Sequence, residues 1–319
     1  MKITVTRTLP SAAMSPLTGL AEVWVNPHDR PLTADELRTA VQGADGIVSM
    51  LTDRIDESVL TAAGPQLRVV ANTAVGYDNL DIAAIARHGT VATNTPGVLV
   101  ESTADLTLAL LLDVTRRVTE GDRLIRSGQS WAWDLGFMLG AGLQGKQLGI
   151  VGMGQIGQAV ARRATAFGMR IVYHARREPE GAIGTRVTLE ELLSTSDIVS
   201  LHCPLTADTH HLIDATALEV MKSEAYLVNT ARGPIVDESA LAEALADGVI
   251  AGAALDVYEH EPRVHPGLRS LPNVVLVPHL GSATIETRSR MAELAVKNVV
   301  QVLEGGSPLT PIPGTVSMT

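Results

Sequence analysis

LGIVGMGQIG, Leu148–Gly157, decides how the chain reads. An apolar run ends in glycines at 152, 154 and 157, the G-x-G-x-x-G spacing, and an Ala-rich segment follows (Gln155 to Gly168). That order predicts a buried strand, a tight turn and a helix. Gly152 permits the turn, Gly154 lets backbone N–H groups approach a pyrophosphate, and Gly157 lets the helix pack close to the strand. The helix N-terminus adds positive potential for phosphates. Glycines at this spacing also occur in plain loops. The strand before and the helix after are what point to a dinucleotide.

Outward from this stretch, apolar strands alternate with helical patterns. On the C-terminal side the expected strands are Gln147–Val151, Arg170–His174, Asp197–Cys203, Ala225–Asn229, Gly252–Val257 and Asn273–Val277. Helices are expected between the first five, one of them opened by a Thr188–Glu191 capping box. Six strands with crossovers suit a doubly wound dinucleotide fold. On the N-terminal side, Ile3–Arg7, Glu22–Val25, Gly46–Leu51, Leu67–Asn72 and Thr90–Asn94 read as strands of a smaller α/β unit of parallel type. Its helices are Thr33–Gln42, opened by a Thr33–Glu36 box, then Asp56–Ala63, and Asp81–His88 capped by Gly89. After Pro96–Gly97 comes a long apolar helix, about Glu101 to Thr119, which its all-round apolarity places between domains or subunits. Residues 121–145, with Trp131 and Trp133, read as irregular. A final helix, Thr284 to Leu303, exceeds what the second sheet needs and could return to the first domain. The expectation is an α/β protein of two Rossmann-like doubly wound parallel-sheet domains, the substrate domain discontinuous. Residues 1–98 and 288–319 would form the substrate-binding domain, and 99–287 the dinucleotide-binding domain.

The 319 residues suffice for two domains. A formal net charge of −10 argues against nucleic acid or an anionic membrane as partner, so an anionic ligand needs locally placed Arg or helix N-termini. The single cysteine, Cys203, excludes an intrachain disulfide, makes a cysteine-based metal site improbable and fits a reducing compartment. No metal is expected. MKITVTRTLP carries no long apolar run and reads as a first strand, and the helix around Leu106–Val114 is too short to span a bilayer. A cytoplasmic protein is expected.

In an NAD-type fold the second strand ends in an acid that binds the adenosine ribose 2′-OH. Here that place, about Ala175 in YHARREP, holds no acid, and Arg176 and Arg177 follow. A carboxylate would repel a 2′-phosphate, whereas guanidinium groups bind it, so NADP(H) is the expected coenzyme, with NAD(H) possible. The alternative is that both arginines are solvated and Glu178 turns back to the ribose.

Three residues follow late strands: Arg232 in NTARGPIVDE, Glu261 in LDVYEHEP and His279 in VPHLGSAT. Ligands of such sheets bind beyond the carboxyl ends of the strands. Carbonyl reduction needs a cation to hold and polarise the substrate, an acid to protonate the developing alkoxide, and a group that keeps that acid protonated. Arg, His and Glu supply these in turn. Each also has a structural reading, as an ion-pair partner, a satisfied polar group or a turn residue. His202, His210, His211, His260 and His265 compete with His279.

NTAVGYDNLD, NTPGVLVESTADLTLALLL, LGIVGMGQIG, HCPLTADTHHLI, NTARGPIVDESAL, ALDVYEHEP and VPHLGSAT together resemble the blocks of the D-isomer-specific 2-hydroxyacid dehydrogenase family, in its order and over essentially the whole chain. The NTPGVL–TADL block and HARRE segment most resemble its glyoxylate/hydroxypyruvate reductase branch. The resemblance implies Arg232, Glu261 and His279 as the catalytic set. It implies Val75 and Gly76 as backbone donors to the substrate carboxylate, with Leu51 and Arg232 also at the substrate. Gly152, Gly154, Gln155, Ile156 and Gly157 match the pyrophosphate turn, and Cys203, Pro204 and Thr209 the adenosine side. Ala231 and Asp256 match the nicotinamide side, with Thr103, Thr230, His279 and Gly281 as further cofactor contacts. Phosphite-oxidising relatives carry a lysine where Val75 stands. A homodimer built through the long helix and the Trp-bearing arm is implied. So is NADPH-dependent reduction of a small 2-oxo acid to the D-2-hydroxy acid. A bulkier, phenylpyruvate-like substrate and a non-enzymatic, dinucleotide-sensing corepressor stay open as alternatives.

Overall fold

The computed structural model describes residues 1–28 and 30–315, so the last four residues of the expected 288–319 segment lie outside it. The chain forms two compact units, Met1–Leu99 with the segment from Thr284 onward, and Val100–Ala283.

The first unit holds β1 (Lys2–Val5), β2 (Glu22–Val25), β3 (Gly46–Ser49), β4 (Val69–Asn72) and β5 (Val91–Thr93), all parallel, in the order β2-β1-β3-β4-β5. β3 and β4 are buried throughout, as a sheet covered on both faces requires. One face carries α1 (Ser11–Met14) and the last helix of the chain, Ile285–Leu303. There Ile3, Val5, Val48, Val69 and Ala71 meet Ala292, Val296 and Val299. The other face carries α2 (Ala34–Ala40), α3 (Glu57–Ala63) and α4 (Ile82–His88). Their starts follow the expected chemistry. The Thr33–Glu36 box closes in both directions, Asp56 and Asp81 cap α3 and α4, and Gly89 ends α4 at φ 77°. The last helix starts at its Thr284 cap and belongs to this unit, which makes the unit discontinuous.

The second unit opens with α5 (Val100–Arg116). The expected continuation to Thr119 does not occur. Arg117 turns left-handed (φ 57°) and α6 (Val118–Arg126) begins, so 121–126 is helical where irregular chain was expected. The cause is local hydrogen bonding. Asp113 accepts the Thr119 N–H at 2.7 Å and its hydroxyl at 2.5 Å, while Arg117 grips both Glu120 oxygens with Nε and Nη2. α5 also has partners within its own unit. Its Leu108, Leu111 and Val114 pack with Leu148, Ile150 and Val228 inside this unit.

The sheet comprises β6 (Gln147–Val151), β7 (Arg170–His174), β8 (Thr185–Arg186), β9 (Ile198–Leu201), β10 (Tyr226–Asn229), β11 (Gly252–Leu255) and β12 (Val274–Leu276). Its order is β12-β11-β10-β9-β6-β7-β8, all parallel. β8 makes seven strands where six were expected; two exposed residues leave no apolar pattern to read. α5 and α7 (Gln155–Ala166) cover one face. α8 (Leu189–Thr195), α9 (Ala215–Val220), α10 (Glu238–Ala246) and α11 (Pro266–Arg269) cover the other. Side chains alternate between the two: in β10, Leu227 faces one core and Val228 the other. At α8, Thr188 accepts the Glu191 N–H at 3.1 Å, the forward half of the expected box.

No helix among the described residues is long and apolar enough to cross a membrane.

Candidate active site

Chain direction around the second sheet reverses between β6 and β9, and ligands of open α/β sheets lodge at such a switch point. The glycine turn lies there. Gly152 has φ +98°, and a Cβ on it would stand 2.5 Å from the Cys203 nitrogen. A Cβ on Gly157 would stand 2.2 Å from the Gly152 carbonyl oxygen, so only glycine lets α7 start this close to β6. Gly154 is the N-cap of α7. It supplies no capping side chain, and a Cβ there would meet nothing within 4 Å. The first turn of α7 thus starts without a side-chain cap, at an exposed Gly154 and Gln155, which fits the pyrophosphate of a dinucleotide.

Beside this turn, burial pushes the Cys203 thiol up to about 11, so it packs as a neutral group. The Thr209 hydroxyl closes its own loop, donating to the Pro204 carbonyl at 2.7 Å and accepting the Thr206 N–H at 2.8 Å. At the end of β7, Ala175 is half-buried and Arg176 and Arg177 are exposed, with no carboxylate paired to either among the described residues. Glu178 instead accepts the Tyr173 hydroxyl at 3.4 Å. Arg186, on β8, reaches back to the carbonyls of Ala175 and Arg176, each at 3.1 Å, and fastens this turn. Sequence reasoning missed Arg186, since nothing marks a surface arginine as a backbone clasp.

Arg232 follows β10. Asn229, buried at the strand end, accepts the Ala231 N–H at 3.0 Å and donates to the Arg232 carbonyl at 2.9 Å. This closes the turn and leaves Arg232 half-buried, its guanidinium donating to the Ala231 carbonyl at 2.8 Å. Asn229 also went unnoticed, although a polar residue ending an apolar strand was a usable signal. The next residue has no spare room: a Cβ on Gly233 would lie 1.9 Å from the Tyr258 carbonyl carbon. Gly233→Ala must push two backbones apart. The expected cost is about 1–3 kcal/mol or more, a fall of roughly 3–10 °C in thermal midpoint. A calorimetric scan checks it, and an unchanged midpoint would contradict so tight a contact.

Asp256, buried at the end of β11, ties the turn at His279 together. Its carboxylate accepts the N–H groups of Leu280 (2.5 Å) and Gly281 (2.8 Å), and its carbonyl accepts the His279 N–H at 2.9 Å. Burial pushes this carboxyl above its ordinary range, against the opposing pull of those two N–H groups and of His279. His279 itself is left-handed, φ 54°, a conformation uncommon outside glycine. Thr103 donates to the Gly281 carbonyl at 3.2 Å, and the hydroxyls of Thr107 and Thr230 meet at 2.9 Å, anchoring α5 beneath these loops.

In this frame Glu261 receives the Tyr258 N–H on one oxygen at 3.1 Å, and its other oxygen lies 2.8 Å from His279 Nδ1. Both side chains are about a third exposed. With Nδ1 engaged, Nε2 is the ring edge left for a substrate. Two of the competing histidines are otherwise occupied. His202 is bonded to Ser200 at 2.8 Å and held neutral by burial, which depresses it to about 3. His211 pairs with Glu259 at 2.7 Å.

Val75, Gly76 and Leu51 lie in the first unit, just past β4 and β3. Among the described residues no group of three or more His, Cys, Asp or Glu side chains could hold a metal ion.

Residues 108–281 match the family model for the NAD-binding domain of D-isomer specific 2-hydroxyacid dehydrogenases. The chain belongs to that family. Its relatives include the glyoxylate reductase of Korarchaeum cryptofilum, 49% identical over 315 residues, 96% of this chain and 94% of that protein. A Thermus thermophilus protein of known crystal structure is 50% identical with a TM-score of 0.93, covering 98% of this chain and 100% of that one. The NADPH-dependent glyoxylate/hydroxypyruvate reductase of Sinorhizobium meliloti, solved with NADP and malonate, is 36% identical with a TM-score of 0.87, covering 98% and 97%. A dehydrogenase of this family binds a nicotinamide dinucleotide, and the glycine turn above lies within the matched segment.

Proposed function

We propose that this dehydrogenase reduces glyoxylate, hydroxypyruvate or a similar small 2-oxo acid to the D-2-hydroxy acid, with NADPH preferred over NADH. The observation that carries the reading is the 2.8 Å contact between His279 and Glu261 at the carboxyl edge of the second sheet, two strands and one strand over from Arg232 respectively. A bound dihydronicotinamide would supply the hydride. The Arg232 guanidinium orients the substrate carboxylate and polarises the carbonyl. The backbone amides of Val75 and Gly76 bind the same carboxylate. His279 donates a proton from Nε2 to the oxygen at C2, and Glu261 holds the ring in place through Nδ1. Arg176 and Arg177 receive the 2′-phosphate; their exposure and the absence of a carboxylate paired to either among the described residues support that role.

The working form is proposed to be a cytoplasmic homodimer. Exposed Trp131, Trp133, Leu135 and Leu139, with Val118 and Ile125 on α6, offer an apolar surface for a second copy.

Steady-state kinetics with glyoxylate, hydroxypyruvate, pyruvate and phenylpyruvate, each with both coenzymes, test the reading. Higher kcat/KM for the two small acids with NADPH is expected. Preference for phenylpyruvate would move the substrate to the bulkier class, and no turnover with any acid would favour a dinucleotide sensor.

A further inference from the structure

In the first unit three consecutive carbonyls after β4 are fastened. The Ala74 carbonyl accepts the Thr95 N–H at 2.9 Å, the Val75 carbonyl accepts Asn94 Nδ2 at 2.8 Å, and the Gly76 carbonyl accepts Asn72 Nδ2 at 3.0 Å. A trans peptide is planar, with N–H and C=O on opposite edges. Fixing the Ala74 and Val75 carbonyls toward the chain just past β5 therefore turns the N–H groups of Val75 and Gly76 away from it, both to one side. Among the described residues neither N–H has a hydrogen-bond acceptor. Adjacent amides presented in this way form a concave anion site.

Asn94 is half-buried and holds the second of these peptides by its side chain alone, since its own backbone is engaged with Thr310. Asn72, fully buried, is locked in orientation. Its Oδ1 accepts from Ser49 and Asn79, each at 3.2 Å, and its Nδ2 donates to the Gly76 carbonyl and to Asn79 Oδ1 at 3.2 Å. We infer that Asn94, backed by Asn72, is a positioning residue that aims the Val75 and Gly76 amides at the carboxylate of the 2-oxo acid. The inference rests on the function proposed above and adds what keeps the two amides parallel. Without the Asn94 amide, the Val75–Gly76 peptide is free to rotate and its N–H leaves the anion. With an aspartate there, two oxygens face each other and rotation is favoured.

The test uses Asn94→Ala and Asn94→Asp in the full chain. KM for glyoxylate and the inhibition constant of oxalate are expected to rise about tenfold or more, the loss of one charge-assisted hydrogen bond. NADPH binding, followed by its fluorescence, should hold. So should kcat/KM for methylglyoxal, an aldehyde without a carboxylate, to within about twofold. A merely structural role would shift both aldehydes together, and that outcome, or no shift in either, overturns the inference. If the wild-type chain reduces no 2-oxo acid, the functional reading falls instead. Oxalate titration of wild-type and Asn94→Asp chains then decides alone, equal affinities counting against Asn94.

Discussion

His279→Gln is expected to lower turnover about 10²–10⁴-fold, equivalent to roughly 3–5 kcal/mol of transition-state stabilisation. Glutamine preserves much of the side chain's bulk and can still donate to Glu261, so the turn bound to Asp256 has no reason to open. What it lacks is an ionisable proton at the position of Nε2. The alkoxide that forms as hydride arrives must then take its proton from water. Rates of NADPH oxidation with glyoxylate give the loss. NADPH fluorescence titration shows separately that the coenzyme site survives. Wild-type turnover in this variant would remove His279 from the chemistry and leave the fold untouched.

The second large effect concerns coenzyme choice. Replacing Ala175 by Asp and both Arg176 and Arg177 by Ser should shift the ratio of kcat/KM for NADPH over NADH by on the order of 100-fold toward NADH, two charged contacts at about tenfold each. The aspartate restores an acceptor for a ribose 2′-OH and repels a 2′-phosphate. Arg186 stays in place to hold the turn by the carbonyls of residues 175 and 176, so the change is one of charge rather than backbone path. Direct titration with 2′-phosphorylated and unphosphorylated adenosine nucleotides provides a readout independent of turnover. A triple variant with unaltered preference for the phosphorylated form would assign the arginines to solvent.

Much of this architecture is legible in the sequence because local chemistry and the tertiary fold agree. The apolar strands, the Thr33, Asp56, Asp81 and Thr284 caps, Gly89 and the three-glycine turn each announce themselves within a few residues, and the structure places an element boundary at every one. What escapes is set by distant partners. The helix pattern runs unbroken through Arg117, yet Asp113 and Thr119 close a turn around it. The apolar circumference of α5 states that it is buried and not against what. The backbone clasps made by Asn94 and Arg186 span 19 and 11 residues with no periodicity to reveal them. The pairing of His279 with Glu261 is intermediate. Strand ends bring both residues to one edge, but only the left-handed backbone at 279, fixed by Asp256, accounts for the 2.8 Å contact.

The discontinuity of the first unit has a consequence for biosynthesis. Ile3, Val5, Val48, Val69 and Ala71 leave the ribosome early, but Ala292, Val296 and Val299, which cover them, emerge nearly two hundred residues after β5. The Val100–Ala283 unit has all its strands and its own two cores before that cover is made. The part of the chain translated first is thus the last to be shut, and through most of translation it carries a bare greasy face that a nascent-chain chaperone would bind.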